Sequence, residues 1–202
     1  SDGPRLGVAS FRRARVESRD LAFVVTACAG ELLSGSPATR IQRVSTDSRQ
    51  AQAGDLFVAL TGEHFDGHAF LVEVAKKGAV GVVIECGRKV EPLPGCAVIQ
   101  VANARQALGQ LAAAYRRQFS LPVIAVGGSN GKTTTKELIA AVLRQKLPTL
   151  WSEASFNNDI GVPATLLRLE SSHRVAVLEA GTNHPGELAP LVKMMAPQFG
   201  VL

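Results

Sequence analysis

The chain has 202 residues, 46% hydrophobic and 19% charged, with a net charge of +5. That balance excludes a disordered polymer, and the lack of a long apolar run excludes a membrane-spanning helix. Basic charge invites nucleic acid, but aromatic residues are only 5% and five arginines (Arg5, Arg12, Arg13, Arg15, Arg19) crowd the first segment, so base-stacking material is scarce and no nucleic-acid partner is expected.

Cys28, Cys86 and Cys96 are scattered without a C-x-x-C pair, which points to reduced thiols and a cytosolic setting. Residues 1–19 read as a polar lead-in. The apolar run 21–29 follows an arginine-rich start as in a secretory leader, but Glu17 and Asp20 interrupt the basic stretch. The pattern instead predicts a short helix capped by Asp20 and stopped at Gly30. Strands follow at 41–44 and 56–60, then a polar loop at 61–68 and a helix over 69–77 ended by Gly78. Buried strands are expected at 79–84 and 98–101. Asn103 opens a helix running to about 119 on the spacing of Ala107, Leu108, Leu111 and Tyr115. Residues 20–120 thus form a small α/β domain.

Leu121-Pro122 marks a boundary, and residues 121–202 start a second α/β unit of the doubly wound, mainly parallel kind. The strand 123–126 runs into Gly127-Gly128-Ser129-Asn130-Gly131-Lys132-Thr133-Thr134, and a helix over 133–146 carries apolar Leu138, Ile139, Val142 and Leu143. Further strands are expected at 149–151, 174–178 and 199–202, with helices over 160–169 and 186–193. The pattern halts with the last strand just begun, which reads as a piece of a larger protein and an incomplete phosphate-loop domain.

A glycine-rich turn ending in Gly-Lys-Thr between a strand and a helix is the sequence form of a phosphate-binding loop. Glycines let successive backbone N–H groups turn inward on an anion, and the helix adds the positive end of its dipole. Lys132 can reach the β- and γ-phosphates of a nucleotide, and the Thr133 hydroxyl can hold a magnesium ion. Val126 stands where the strict pattern has its first glycine. Val175-Ala176-Val177-Leu178-Glu179 puts a carboxylate at the tip of a buried strand, where it can complete the magnesium site. Asn157-Asn158-Asp159-Ile160-Gly161-Val162-Pro163 serves equally as a helix cap and turn. His184, in the loop after Glu179, suits a phosphate contact or plain solvent. Ser45-Thr46-Asp47-Ser48-Arg49 offers hydroxyls and a guanidinium to a pyrophosphate or nucleoside, though such turns are common surface material. His64, Asp66 and His68 share a loop but lack a third convincing metal ligand.

Together these segments resemble the Mur ligases. Ser45 to Arg49, Gly54-Asp55-Leu56-Phe57-Val58-Ala59-Leu60 and the stretch from Gly62 to Asp66-Gly67-His68 are similar to their N-terminal domain. Gly128 to Thr134, Asn157 to Leu167 and Leu178 to Glu187 are similar to their central ATPase domain. The resemblance implies an ATP- and Mg2+-dependent amide ligase of bacterial cytoplasmic peptidoglycan synthesis. Its substrates would be UDP-N-acetylmuramoyl-tripeptide and D-alanyl-D-alanine, joined through an acyl phosphate, and the protein would be a monomer. It places ATP on Gly128, Ser129, Asn130, Gly131, Lys132, Thr133 and Thr134, and magnesium on Thr133 and Glu179. Lys132, Asn158, Glu179 and His184 would face the reacting groups. Ser45, Thr46, Asp47, Ser48, Arg49, Gly62, Asp66 and His68 would meet the UDP-sugar. The family's third domain and later metal-site residues have no counterpart in this sequence, so 202 residues alone are expected not to turn over. A related ligase using a diamino acid or folate, and a non-catalytic nucleotide-binding module, are the competing readings.

Overall fold

The structure is a computed structural model, described here for residues 14–63, 65–181 and 186–202. β1 (Ala14–Asp20), α1 (Leu21–Cys28), β2 (Glu31–Ser34), β3 (Arg40–Ser45) and β4 (Asp55–Val58) come first, followed by the small hairpin of β5 (Thr61–Gly62) and β6 (Phe65–Asp66). α2 (Leu71–Lys76), β7 (Gly81–Glu85), β8 (Ala97–Val101) and α3 (Ala104–Arg116) complete the first unit. Their sheet has the order β1-β3-β4-β7-β8-β2, with the four central strands parallel and both edges antiparallel.

Both edge strands depart from the sequence reading. Residues 14–19 fall in the expected lead-in, yet with Asp20 they form a strand that pairs with β3. Their alternation of charged and small residues is that of an edge strand, whose stability comes from a distant partner rather than from local propensity. β2 likewise exists only by pairing with β8. α1 is capped as expected, the Asp20 carboxylate accepting from the Phe23 N–H at 2.9 Å. Its end differs: Ala29 takes the left-handed turn at φ 49, and Gly30 is needed instead because a Cβ there would meet the Gln100 carbonyl at 2.9 Å.

The second unit contains β9 (Val123–Val126), α4 (Lys132–Leu143), β10 (Thr149–Trp151), α5 (Gly161–Leu166), β11 (Val175–Glu179), α6 (Leu188–Met195) and β12 (Phe199–Val201). Its sheet runs β10-β11-β9-β12, all parallel. The chain leaves β9 toward β10 on one side and returns from β11 to β12 on the other, so the ends of β9 and β11 flank a topological switch point. α4 covers one face of this sheet through Ala140, with Ile139 and Leu143 partly buried against Val126 and Val177. Leu138 and Val142, also apolar in this helix, are 63% and 71% exposed. The lining face of α4 is instead shared with Lys136, which is fully buried.

α3 is the common wall of the two units. Its buried residues Leu108, Leu111 and Tyr115 belong to one continuous core that includes Ile99 from the first sheet and Leu166, Leu178 and Met195 from the second unit. The Tyr115 hydroxyl donates to the Leu169 carbonyl at 2.7 Å and accepts from the Glu17 N–H at 2.8 Å. Burial pushes that phenol up to about 12, so it stays a donor at neutral pH. The buried Arg116 guanidinium meets three carbonyls, those of Phe119, Leu121 and Met195.

Candidate phosphate- and metal-binding site

Gly127 leaves β9 with its N–H still bonded to the Val201 carbonyl at 2.8 Å, and the chain then turns sharply over Gly128 and Gly131 at φ 111 and 76. These are left-handed conformations that a Cβ would penalise. α4 begins at Lys132 with Gly131 as its N-cap and no side-chain cap bond. Its first N–H groups are therefore free to meet an anion, which the helix dipole favours. Gly128, Ser129, Asn130 and Gly131 are exposed, and Lys132, Thr133 and Thr134 open the helix beside them. The Lys132 Nζ curls over the turn and donates to the Gly128 carbonyl at 3.0 Å, so its charge already sits on the loop.

Glu179 stands opposite Val126 in the parallel register, one step from the loop. It is 1% exposed. The Thr133 hydroxyl donates to its Oε2 at 2.9 Å, and the Asn157 carboxamide donates to its Oε1 at 2.8 Å. Lys132 and Thr133, at the start of α4, and Glu179, at the end of β11, are thus brought to one rim. A carboxylate and a hydroxyl oxygen this close together are the hard oxygen donors that suit a magnesium ion. No cluster of three or more His, Cys, Asp or Glu side chains occurs among the described residues.

Asn158 takes the turn-forming place that the stretch 157–163 also offered. Its Oδ1 accepts from the Gly161 and Ile160 N–H groups at 2.8 and 3.2 Å, capping α5, while its neighbour Asn157 meets Glu179. His184 lies outside the described residues, as does His64. Sequence reasoning also passed over Lys136. Its Nζ, fully buried, donates to the Ala154 carbonyl at 2.7 Å and pairs with Glu137 at 3.0 Å, 3.9 Å from the Glu179 Oε2. The signal was its spacing: four residues after Lys132, it lies one turn below on the same helix face.

The first unit's polar motifs also gather at the C-terminal ends of parallel strands. Asp47 caps a short turn over Ser48–Gln50, and its carboxylate is gripped by the Arg49 guanidinium at 2.9 and 2.7 Å. That bond above all holds the Asp47 carboxyl below its usual range. The Ser45 hydroxyl donates to the Asp47 carbonyl, Thr46 is half-buried, and buried Ser48 offers its carbonyl to the Lys77 ammonium. Gly62 is exposed in the β5–β6 hairpin. His68 has both ring nitrogens engaged: Nε2 accepts from the Glu85 N–H at 3.1 Å, which leaves the proton on Nδ1, 2.7 Å from Asp66. Arg88 holds the other Asp66 oxygen at 2.9 Å. His68 accordingly fixes the hairpin to β7 and has no ring nitrogen left for a ligand.

Two family descriptions match the chain: Mur ligase family, catalytic domain, over residues 40–116, and Mur ligase middle domain, over residues 126–202. The chain belongs to the Mur ligase family, and it carries α/β units of the N-terminal and central kinds. Among its relatives, UDP-N-acetylmuramoyl-tripeptide–D-alanyl-D-alanine ligase of Synechocystis is 41% identical across 91% of this chain and 40% of its own length. The Escherichia coli protein of the same name is 43% identical across 84% of this chain and 36% of its own. In structure, MurF from Acinetobacter baumannii superposes with a TM-score of 0.85 at 40% identity, over 92% of this chain and 41% of that one. MurF from Thermotoga maritima, solved in complex with ADP, does so at 0.69 and 32% identity, over 76% of this chain and 35% of that one. The chain spans about two fifths of the length of the relatives it matches.

Proposed function

We propose that this chain forms the substrate- and nucleotide-binding part of an ATP-dependent ligase that joins D-alanyl-D-alanine to UDP-N-acetylmuramoyl-tripeptide. Residues 20–120 would hold the UDP-muramoyl end and residues 121–202 the ATP. One observation carries the reading: Thr133, from the phosphate loop, and Glu179, from the neighbouring strand, meet at 2.9 Å beside Lys132 on one rim. The names of the relatives support the choice of substrates, and the ADP complex of a structural neighbour supports the nucleotide.

In the proposed reaction the terminal carboxylate of the tripeptide attacks the γ-phosphate of ATP, ADP leaves, and an acyl phosphate forms. The amine of the dipeptide then attacks the acyl carbon, and phosphate departs as the amide bond closes. Carboxylate and triphosphate repel each other, so the protein's task is to hold them in line and offset charge. The amides of Gly128 to Thr134 and the Lys132 ammonium would take the phosphates. Thr133 and Glu179 would hold Mg2+, which supplies charge neutralisation when bound. Ser45, Thr46, Arg49 and Gly62 remain candidates for the UDP-sugar, whereas Asp66 and His68 would act indirectly by fixing the hairpin. Calorimetry with UDP-N-acetylmuramoyl-tripeptide and with Mg·ATP tests the reading. Saturable binding of both is expected, and binding of neither would overturn it. In a polypeptide of the relatives' length, product formation with D-alanyl-D-alanine but not with single amino acids is expected.

A further inference from the structure

We infer that Asn157 is a positioning residue that aims the Glu179 carboxylate at the cation, an inference that rests on the nucleotide reading of this rim. A carboxylate terminal torsion is soft, and its two oxygens are equivalent until something distinguishes them. The Asn157 Nδ2 donor, 2.8 Å from Oε1, distinguishes them. It pins one oxygen and leaves Oε2 against the Thr133 hydroxyl.

The clamp is itself held from several sides. The Asn157 carbonyl accepts from the Gly181 N–H at 2.9 Å. Its carboxamide lies so close to Gly181 that a Cβ there would fall 2.3 Å from Nδ2 and 2.5 Å from Cγ. Glycine at 181 is therefore what admits the clamp. The Ser152 N–H bonds the Val177 carbonyl at 3.0 Å, while its hydroxyl accepts from the Glu179 N–H at 3.2 Å. From below, the buried Lys136 ammonium grips the Ala154 carbonyl, and Ala154 is kept at φ 47, a conformation costly for a residue with a Cβ. Residues 152–157 thus form a tethered loop that brings the carboxamide of Asn157 onto the Glu179 carboxylate.

Donors that orient a metal ligand without touching the metal typically govern affinity by about 10–100-fold. The test is calorimetry of ATP binding to this chain, in EDTA and in excess Mg2+, with bound Mn2+ counted by electron paramagnetic resonance as a second readout. In the unmutated protein Mg2+ should tighten ATP binding. For Asn157→Ala the affinity in EDTA should stay within about twofold, while the gain from Mg2+ and the affinity for Mn2+ fall at least tenfold. Asn157→Ser, too short to reach Oε1, should behave alike and serves if the alanine variant does not fold. Gly181→Ala, which forces the carboxamide off Glu179 while keeping Asn157, should reproduce the loss. A folded Asn157→Ala protein with the full Mg2+ gain would overturn the inference. So would an equal fall in affinity with and without metal, because Asn157 would then touch the nucleotide itself. An unmutated protein that binds ATP but gains nothing from Mg2+ would overturn the metal reading beneath it.

Discussion

Both sheets gather polar loops where parallel strands end, yet the two rims are built to different plans. On the first rim the charged side chains answer one another: Asp47 with Arg49, and Asp66 with His68 and Arg88. On the second, backbone N–H groups at the start of α4 have no side-chain cap, and a buried carboxylate is aimed at a hydroxyl beside them. Paired charges fix the shape of a loop, whereas uncapped backbone donors and an aimed carboxylate are suited to an anion and a cation. The two rims thus share their place at the ends of parallel strands and differ in how far their polar groups are already engaged by neighbours.

The largest test concerns the wall that joins the two units. Tyr115→Ala removes a ring buried between them together with both hydroxyl bonds, and should cost about 3–5 kcal/mol in urea unfolding. If the units form one cooperative body, the transition stays single; two separated transitions in the variant would show that α3 is their main link. The second test contrasts the rims directly. His68→Ala leaves the Glu85 N–H without its acceptor and takes one of several partners from Asp66, and should lower stability by about 1–3 kcal/mol. Lys132→Ala should change stability by no more than about 0.5 kcal/mol, as expected for a partly exposed side chain bonded only to its own turn. Equal losses in the two variants would erase the distinction between the rims. A smaller effect, about 1 kcal/mol, is expected for Asp20→Ala, which uncaps α1 far from either rim.

The smallest effect is one of pH. The Arg49 guanidinium holds the Asp47 carboxyl below its unfolded value of about 3.9. A lowered folded value means that the contribution is complete above that pH and is lost as pH falls through the folded value. Asp47→Asn should therefore show a shallower loss of stability below about pH 4 than the unmutated protein, followed by circular dichroism. Identical acid limbs would mean that the Asp47–Arg49 pair does not tie down the first rim.

Elements with a strong local signature were legible in the sequence. The spacing of Ala107, Leu108, Leu111 and Tyr115 marks α3, the β-branched run 123–126 marks β9, and Asp20 announces the start of α1. The edge strands β1 and β2 were not, because their residues gain a strand conformation only from partners far along the chain. Leu138 and Val142 show a related limit: an apolar i, i+4 pair states that a face is hydrophobic, not which face the sheet covers. At the site, Lys132, Thr133 and Glu179 were readable because backbone geometry forces them together. That Asn157 meets Glu179 was not readable, since adjacent residues of identical chemistry differ only in which one faces β11. Lys136 was hidden by expectation, a lysine being rarely buried unless paired.

The proposed function requires that residues 127–135 receive a nucleoside triphosphate. Calorimetric titration of Mg·ATP into the chain and into Lys132→Ala measures this directly. The expected result is saturable one-to-one binding, weakened about tenfold to a hundredfold by loss of a charge-assisted contact worth about 1.5–3 kcal/mol. Heat that never saturates, or the same affinity in both proteins, would contradict it.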